Sequence, residues 1–315
     1  MLLFLALIFA QVVLPLTLIA LHAFHRPATR TGLLLRSVAL IGLCVLLIPV
    51  GFWAFPTWWT PHVFVALAVL ASFNAARRLR NRTHAAGAWR RNGEVAVALL
   101  LGLVVALQAP AVIGGRQIPA EAVDIAFPLE PGRYLVVNGG HHALLNAHFM
   151  TLDNPDLADY RGQSHAVDII GVDRWGMRAT TLFGTEDPAD YHIFGARVLA
   201  PCDGTVLNAE SERPDLPVPE FDTEDRGGNF LLIDCGGFIV YLAHLRQGSL
   251  LVGEGDSVAA GSPVAEVGNS GHSGEPHLHV HAQRGTSPDA LLAGEPLPVT
   301  FDGLFPLRNA VLAGD

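Results

Sequence analysis

Four long apolar runs occupy the first 115 residues and limit what that part of the chain can become. Met1–Leu21 and Ser37–Phe55 carry no charge. Phe64–Ala76, with the preceding Trp58–Val63, makes a third and weaker run, and Val95–Ile113 a fourth. About 20 apolar residues suffice to cross a bilayer as a helix. In hydrocarbon each backbone N–H and C=O must be paired within its own segment, so such runs become helices. The stretch 1–115 therefore reads as four transmembrane helices. The first run is not read as a cleavable signal peptide, because it lacks a basic leading region and three further runs follow it.

The loops between the runs give an orientation. Arg26, Arg30 and Arg36 lie between runs one and two, and Arg77, Arg78, Arg80, Arg82, Arg90 and Arg91 between runs three and four. The connection between runs two and three has no positive charge but holds Trp53, Phe55, Trp58 and Trp59. Basic loops stay in the cytoplasm and aromatic residues sit at the interface, so the N-terminus and everything after residue 115 are expected outside. Those nine arginines face one acid, Glu94, for a charge of +8. The remaining 200 residues hold 11 arginines and 28 acids, for −17. Because the spans as drawn contain no Asp, Glu, Lys or Arg of the kind that lines an ion path, their expected job is anchoring in membrane lipid.

All 20 basic residues are arginine. Without lysine there is no Schiff-base amine, no phosphate-loop lysine and no attachment point for biotin or lipoate. The last point closes the carrier-domain reading of Gly255-Asp256-Ser257-Val258. An acidic outer part also argues against nucleic acid as a partner. Cys44 lies in a span, while Cys202 and Cys235 are the only cysteines of the outer part, where an oxidising compartment permits a disulfide.

From Arg116 onwards short β-rich runs alternate with Gly, Pro, Asn and Asp clusters, as in all-β domains. The runs are Arg133–Asn138, His165–Gly171, Ala196–Leu199, Asn229–Asp234, Phe238–Leu242 and His277–Ala282, and the Pro- and acid-rich Glu210–Asp225 reads as a surface insertion. Ten of the 14 histidines fall in this part. In Pro276-His277-Leu278-His279-Val280-His281, alternate residues of a strand share a face, so three imidazoles project together, an arrangement suited to metal binding and proton transfer. Tyr241-Leu242-Ala243-His244 ends another strand in a histidine, and Ser164-His165-Ala166-Val167-Asp168 places an imidazole and a carboxylate in one short run. Carboxylate and imidazole are a ligand set that zinc accepts, with a fourth position left for water.

His244-Leu-Arg-Gln-Gly-Ser, Val252-Gly-Glu-Gly-Asp256-Ser-Val258, Gly261, Gly268-Asn-Ser270-Gly271 and Pro276-His-Leu-His279 follow one another in an order that resembles the zinc endopeptidases of the lysostaphin and LytM type. Ala200-Pro-Cys-Asp203-Gly204-Thr-Val206 resembles their recurrent strand-turn element. The resemblance runs from about His165 to His281 and leaves the membrane part outside. It implies a mainly antiparallel β domain, built as a duplicated hybrid motif with a narrow groove, that cleaves peptides of bacterial peptidoglycan. By position it implies Asp168 and His279 as Zn²⁺ ligands, with His244 and His277 beside a metal-bound water whose pKa falls to roughly 7. The chain departs from the pattern in one place. The histidine that the family carries four residues before the aspartate is replaced by Ser164, and the third ligand is either His148 or His165. His141, His142, His192 and His272 read as surface, turn or peripheral residues.

The expected organisation is a four-span anchor over 1–115, a β-rich lead-in over 116–160, a zinc metallopeptidase-like β domain over 161–290 and a C-terminal tail over 291–315. The expected protein is a multi-pass component of the bacterial cytoplasmic (inner) membrane whose extracytoplasmic domain hydrolyses peptidoglycan peptides, with room for a protein activator. The alternative is an inactive peptidase-fold scaffold that binds cell wall or a protein partner.

Overall fold

The computed structural model describes residues 6–80, 87–287 and 290–313. Met1–Leu5 of the first run and Arg82 of the second arginine loop lie outside the described residues, as do the last two residues of the C-terminal tail. The chain divides into two compact units, Met1–Trp53 with Trp58–Ile113, and Ala54–Thr57 with Gly114–Asp315.

The first unit holds four helices long and apolar enough to cross a membrane: α1 (Ala6–Phe24), α2 (Arg30–Val50), α3 (Thr60–Arg80) and α4 (Ala88–Gly114). Thr29 starts α2 by accepting a hydrogen bond from Gly32 N, the side-chain cap that orphan N–H groups at a helix start require. α2 and α4 begin earlier than their apolar runs and so take in charged residues that the run boundaries excluded. Arg36 lies within α2 and Glu94 within α4, which corrects the expectation of spans without ionisable residues. Glu94 is buried, and both its carboxylate oxygens accept from Ala28 N at 2.9 and 2.8 Å, with Arg36 Nη1 at 3.3 Å. A buried carboxylate is tolerable only when paired in this way, so the one acid of this half ties the start of α4 to the α1–α2 loop.

The second unit is built on a mainly antiparallel sheet. Its strands are β1 (Val123–Ile125), β2 (Arg133–Asn138), β3 (Val167–Gly171), β4 (Arg197–Leu199), β5 (Gly204–Glu210), β6 (Asn229–Asp234), β7 (Ile239–Leu245), β8 (Ser257–Val258), β9 (Pro263–Glu266), β10 (Leu278–Arg284), β11 (Glu295–Leu297), β12 (Val299–Phe301) and β13 (Val311–Ala313). The large sheet runs β13-β2-β3-β10-β7-β6-β5-β8, with β11 also on β10, while β1–β12 and β4–β9 form two small pairs. Residues 295–313, expected as a tail, supply β11, β12 and β13. Residues 147–165 of the lead-in and the domain start are wound as two 3₁₀ segments, Ala147–Thr151 and Pro155–His165. The disulfide Cys202–Cys235, with Cα atoms 5.8 Å apart, joins the residue two before β5 to the one that follows β6.

Strand alternation sorts the central strands into two faces. Val167, Ile169, Leu231, Ile233, Val240, Leu242, Leu278 and Val280 point to one side and form the hydrophobic core with residues of the smaller pairs. Their neighbours Asp168, Tyr241, Ala243, His279 and His281 must point to the other. Apolar burial on the first face, worth about 1.5–3 kcal/mol for each full-sized side chain, fixes the register. A one-residue slip would drive the polar set into the core.

Candidate metal centre and active site

Register brings the first two site residues together. His279 on β10 pairs directly with Asp168 on β3, and directly opposed residues share a face. His279 Nδ1 lies 3.0 Å from Asp168 Oδ1. A bulge at Val137 lets Asn138 of β2 also face Asp168, and Asn138 Nδ2 donates to Asp168 Oδ2 at 2.8 Å. Arg308, half-buried in the C-terminal segment, donates from Nη2 to Asn138 Oδ1 at 2.7 Å and so orients the amide.

His148 arrives from the first 3₁₀ segment. Buried Asn146 caps this turn by accepting from His148 N and donates from Nδ2 to Ala166 O at 2.8 Å, which pins the turn beside β3. His148 Nε2 then lies 2.9 Å from Asp168 Oδ2. One donor atom each from His148, Asp168 and His279 lie within 4.8 Å of one another. Ligands about 2.0–2.2 Å from a shared tetrahedral metal sit at comparable separations from each other, and two imidazole nitrogens with one carboxylate are a zinc-type set. These residues therefore fit a metal ion.

His165 goes elsewhere. It ends the second 3₁₀ segment and stacks on His141, with ring centroids 4.8 Å apart and Phe149 against its edge. Ser164, at the position where the resembled family has its histidine, bonds Arg161 O and the Thr151 hydroxyl. Burial first, and then the neighbouring His141, lower the His165 pKa to about 4. Its unfolded-state value is about 6.5, so between pH 6.5 and 4 the unfolded chain binds a proton that the folded chain refuses. Stability from this group is present above pH 6.5 and is lost as pH falls through 4, by about 3 kcal/mol in total. Amide hydrogen exchange of β3 in the metal-free protein should report this loss on acidification, and His165→Phe should flatten it. An equally steep profile in the variant would assign the loss to other groups.

Two more imidazoles flank these three residues. The sequence places His244, one of the two histidines expected beside the metal-bound water, at the end of a strand; in the structure it is a bulged residue of β7. Asn229 and Phe230 of β6 are consecutive, yet pair with Leu245 and Ala243. His244 takes φ 62°, a conformation that residues with a Cβ adopt at a cost. The bulge turns the ring out of the core face and towards the site, 4.6 Å from the His277 ring and 5.8 Å from the His279 ring. Both flanking rings are held by the Gly268–Glu275 loop. His244 Nδ1 bonds Ser270 O at 2.9 Å, and His277 Nδ1 bonds Glu275 O at 2.9 Å with Ser273 Oγ at 3.1 Å. A ring that donates Nδ1–H to a carbonyl presents Nε2 as its free acceptor. Gly271, at φ 74°, lies back to back with Gly228, at φ 59°, with no room for a Cβ on either, so the loop can approach closely enough to reach His244.

The loop itself is braced by the acidic insertion. Asp215 accepts from Asn269 N, Leu216 O accepts from Asn269 Nδ2, and Asn269 Oδ1 accepts from Ser273 Oγ. Glu210–Asp225, expected as a surface insertion, thus reaches His277 through two side chains.

Electrostatics follow from burial. The Asp168 carboxyl is buried, which opposes ionisation. The His148 charge, the hydrogen bonds from His148 and His279 and the His277 charge outweigh that and hold it well below the usual carboxylate range. Burial first, then the neighbouring imidazoles, push His244 well below its ordinary value. His279 is lowered by burial despite Asp168. Neutral imidazoles and an ionised carboxylate are the protonation states a metal requires. Behind His279, His281 is completely buried, with Nδ1 3.0 Å from His279 Nε2 and the Tyr241 ring 5.0 Å away.

Among curated proteins none matches the chain. Solved structures that resemble it include a zinc-containing peptidase from Vibrio cholerae, 19% identical over 46% of this chain and 38% of that one, TM-score 0.23. The catalytic domain of the antimicrobial peptidase lysostaphin from Staphylococcus simulans is 19% identical over 53% of this chain and 84% of that one, TM-score 0.26. The chain thus spans well under half the length of the Vibrio protein. The sequence model of Peptidase family M23 matches residues 189–290, a stretch that contains His244, His277 and His279 and begins downstream of His148 and Asp168. Beside its four long apolar helices, the chain thus carries over residues 189–290 a stretch that matches Peptidase family M23.

Proposed function

We propose that this protein is a membrane-anchored zinc endopeptidase whose outer domain hydrolyses peptide bonds of peptidoglycan. The observation that carries the reading is the convergence of His148, Asp168 and His279, with the Nε2 atoms of His244 and His277 left available beside them. Zinc held by the three ligands would acidify a water and polarise the scissile carbonyl. The chain's own residues do the rest. Asp168 and its Asn138–Arg308 brace hold the ligand set in place. With Nδ1 committed to a loop carbonyl, His244 and His277 each direct Nε2 at the site, where it can take a proton from the attacking water and return it to the leaving amine. Once charged, either ring stabilises the developing oxyanion.

The arginine-rich loops and the interfacial aromatics support a cytoplasmic position for the loops and an extracytoplasmic position for the second unit. Full-length protein purified in detergent should hold about one zinc per chain and release new amino groups from purified peptidoglycan, and dipicolinate should abolish that release. Protease added to intact spheroplasts should cut after residue 115. A metal-loaded chain that leaves peptidoglycan uncut would favour the scaffold reading, and a protected second unit would overturn the topology together with the cell-wall substrate.

A further inference from the structure

A cavity of about 250 Å³ opens beside the ligands. Pockets that enclose whole drug-sized molecules run from roughly 300 to 1,000 Å³, so this one suits a single residue of a longer peptide. His148, His244 and His279 line it on one side, and Arg226 and Tyr160 also border it. Met150 and Leu157 add apolar surface. Among the described residues no carboxylate lines it, although the acids of residues 116–315 outnumber the arginines by 17.

Arg226 is exposed, and its guanidinium carbon stands 5.0 Å from the centroid of the Tyr160 ring. Its acidic neighbour Asp225 is already taken by Arg213 at 2.7 Å, and among the described residues no carboxylate pairs with Arg226. A guanidinium stacked on an aromatic face loses little further freedom when its fork meets a planar acid. Two parallel N–H···O bonds to a carboxylate are stronger than neutral bonds and demand that geometry.

We propose that Arg226, stacked on Tyr160, forms a carboxylate-binding subsite, so that the protein selects peptides bearing a free carboxylate near the bond presented to the metal centre. The proposal rests on reading the cavity as a substrate groove. It adds that the substrate is acidic, and that recognition is local and set against a domain whose overall charge repels anions.

The test uses the zinc-loaded full chain in detergent with two probes, a synthetic stem tetrapeptide with free carboxylates and its counterpart with every carboxylate amidated. Titration calorimetry should give at least tenfold tighter binding of the acid form. Arg226→Ala should bring the ratio of the two Kd values to about one, and Arg226→Lys, which keeps the charge but not the fork, should restore part of it. Equal binding of both probes, no measurable binding of the acid form, or a ratio indifferent to Arg226→Ala would each overturn the subsite, whether or not the peptides are cut. Discriminating binding without cleavage of either probe supports the subsite and counts against the hydrolytic reading instead.

Discussion

His148→Ala should empty the metal centre, whereas His165→Ala should leave it filled. His148 Nε2 is 2.9 Å from Asp168 and falls within the group of convergent donors. The His165 ring is packed on His141 and Phe149. Removing one of three protein ligands should weaken zinc binding far beyond the ~10–100-fold that follows loss of an outer hydrogen-bond partner, and peptide hydrolysis should disappear with it. His165→Ala opens a cavity in a buried cluster and should cost about 2–5 kcal/mol of stability, as large-to-small core changes do. The folded fraction should nevertheless retain one zinc. Metal content after dialysis and competition with a chromophoric chelator separate the two variants. Retention of zinc by His148→Ala, or its loss from folded His165→Ala, would reverse the assignment of the third ligand.

Much of this site was legible in the sequence, and what was not has a physical reason. Asp168 and His279 were pointed to by the family resemblance, and strict strand alternation between apolar neighbours accounts for both leaving the core face. Between His148 and His165 the sequence favoured His148, which needs no distortion of the Asp168 strand, but it left His165 open, since the outcome depends on where a 3₁₀ segment ends and a strand begins. The run expected from His165 starts as a strand at Val167, which leaves His165 in the preceding turn with a different direction. His244 was the least predictable. Its aim comes from a bulge and a left-handed backbone, and nothing in Tyr241-Leu-Ala-His244 announces either, because such positions usually carry Gly or Asn. The Arg308–Asn138 brace was invisible because it spans 170 residues of sequence. The four long apolar helices were legible from apolarity alone, but their ends were not. Arg36 and Glu94 look like loop residues until the ion pair between them shows why the helices can include them.

His244→Asn and His277→Ala should each lower kcat for peptide hydrolysis by about 10²–10⁴, the usual yield of a positioned acid or base, with one zinc retained per chain. Neither ring is among the three convergent donors, yet each has Nδ1 committed to a loop carbonyl and so offers Nε2 to the site in a fixed tautomer. Asparagine is the informative replacement at 244 because it tolerates φ 62°, which separates loss of the imidazole from relief of the bulge. KM should change little, since the lost interactions belong to the transition state. The double variant should fall well short of the product of the single losses, because the two rings face the same small volume at 4.6 Å and act on one proton inventory. Zinc analysis beside steady-state kinetics decides the matter. Loss of metal in either variant would make that histidine a ligand, and a kcat within about threefold of the parent would remove both from the chemistry and return the site to Asp168, His148 and His279 alone.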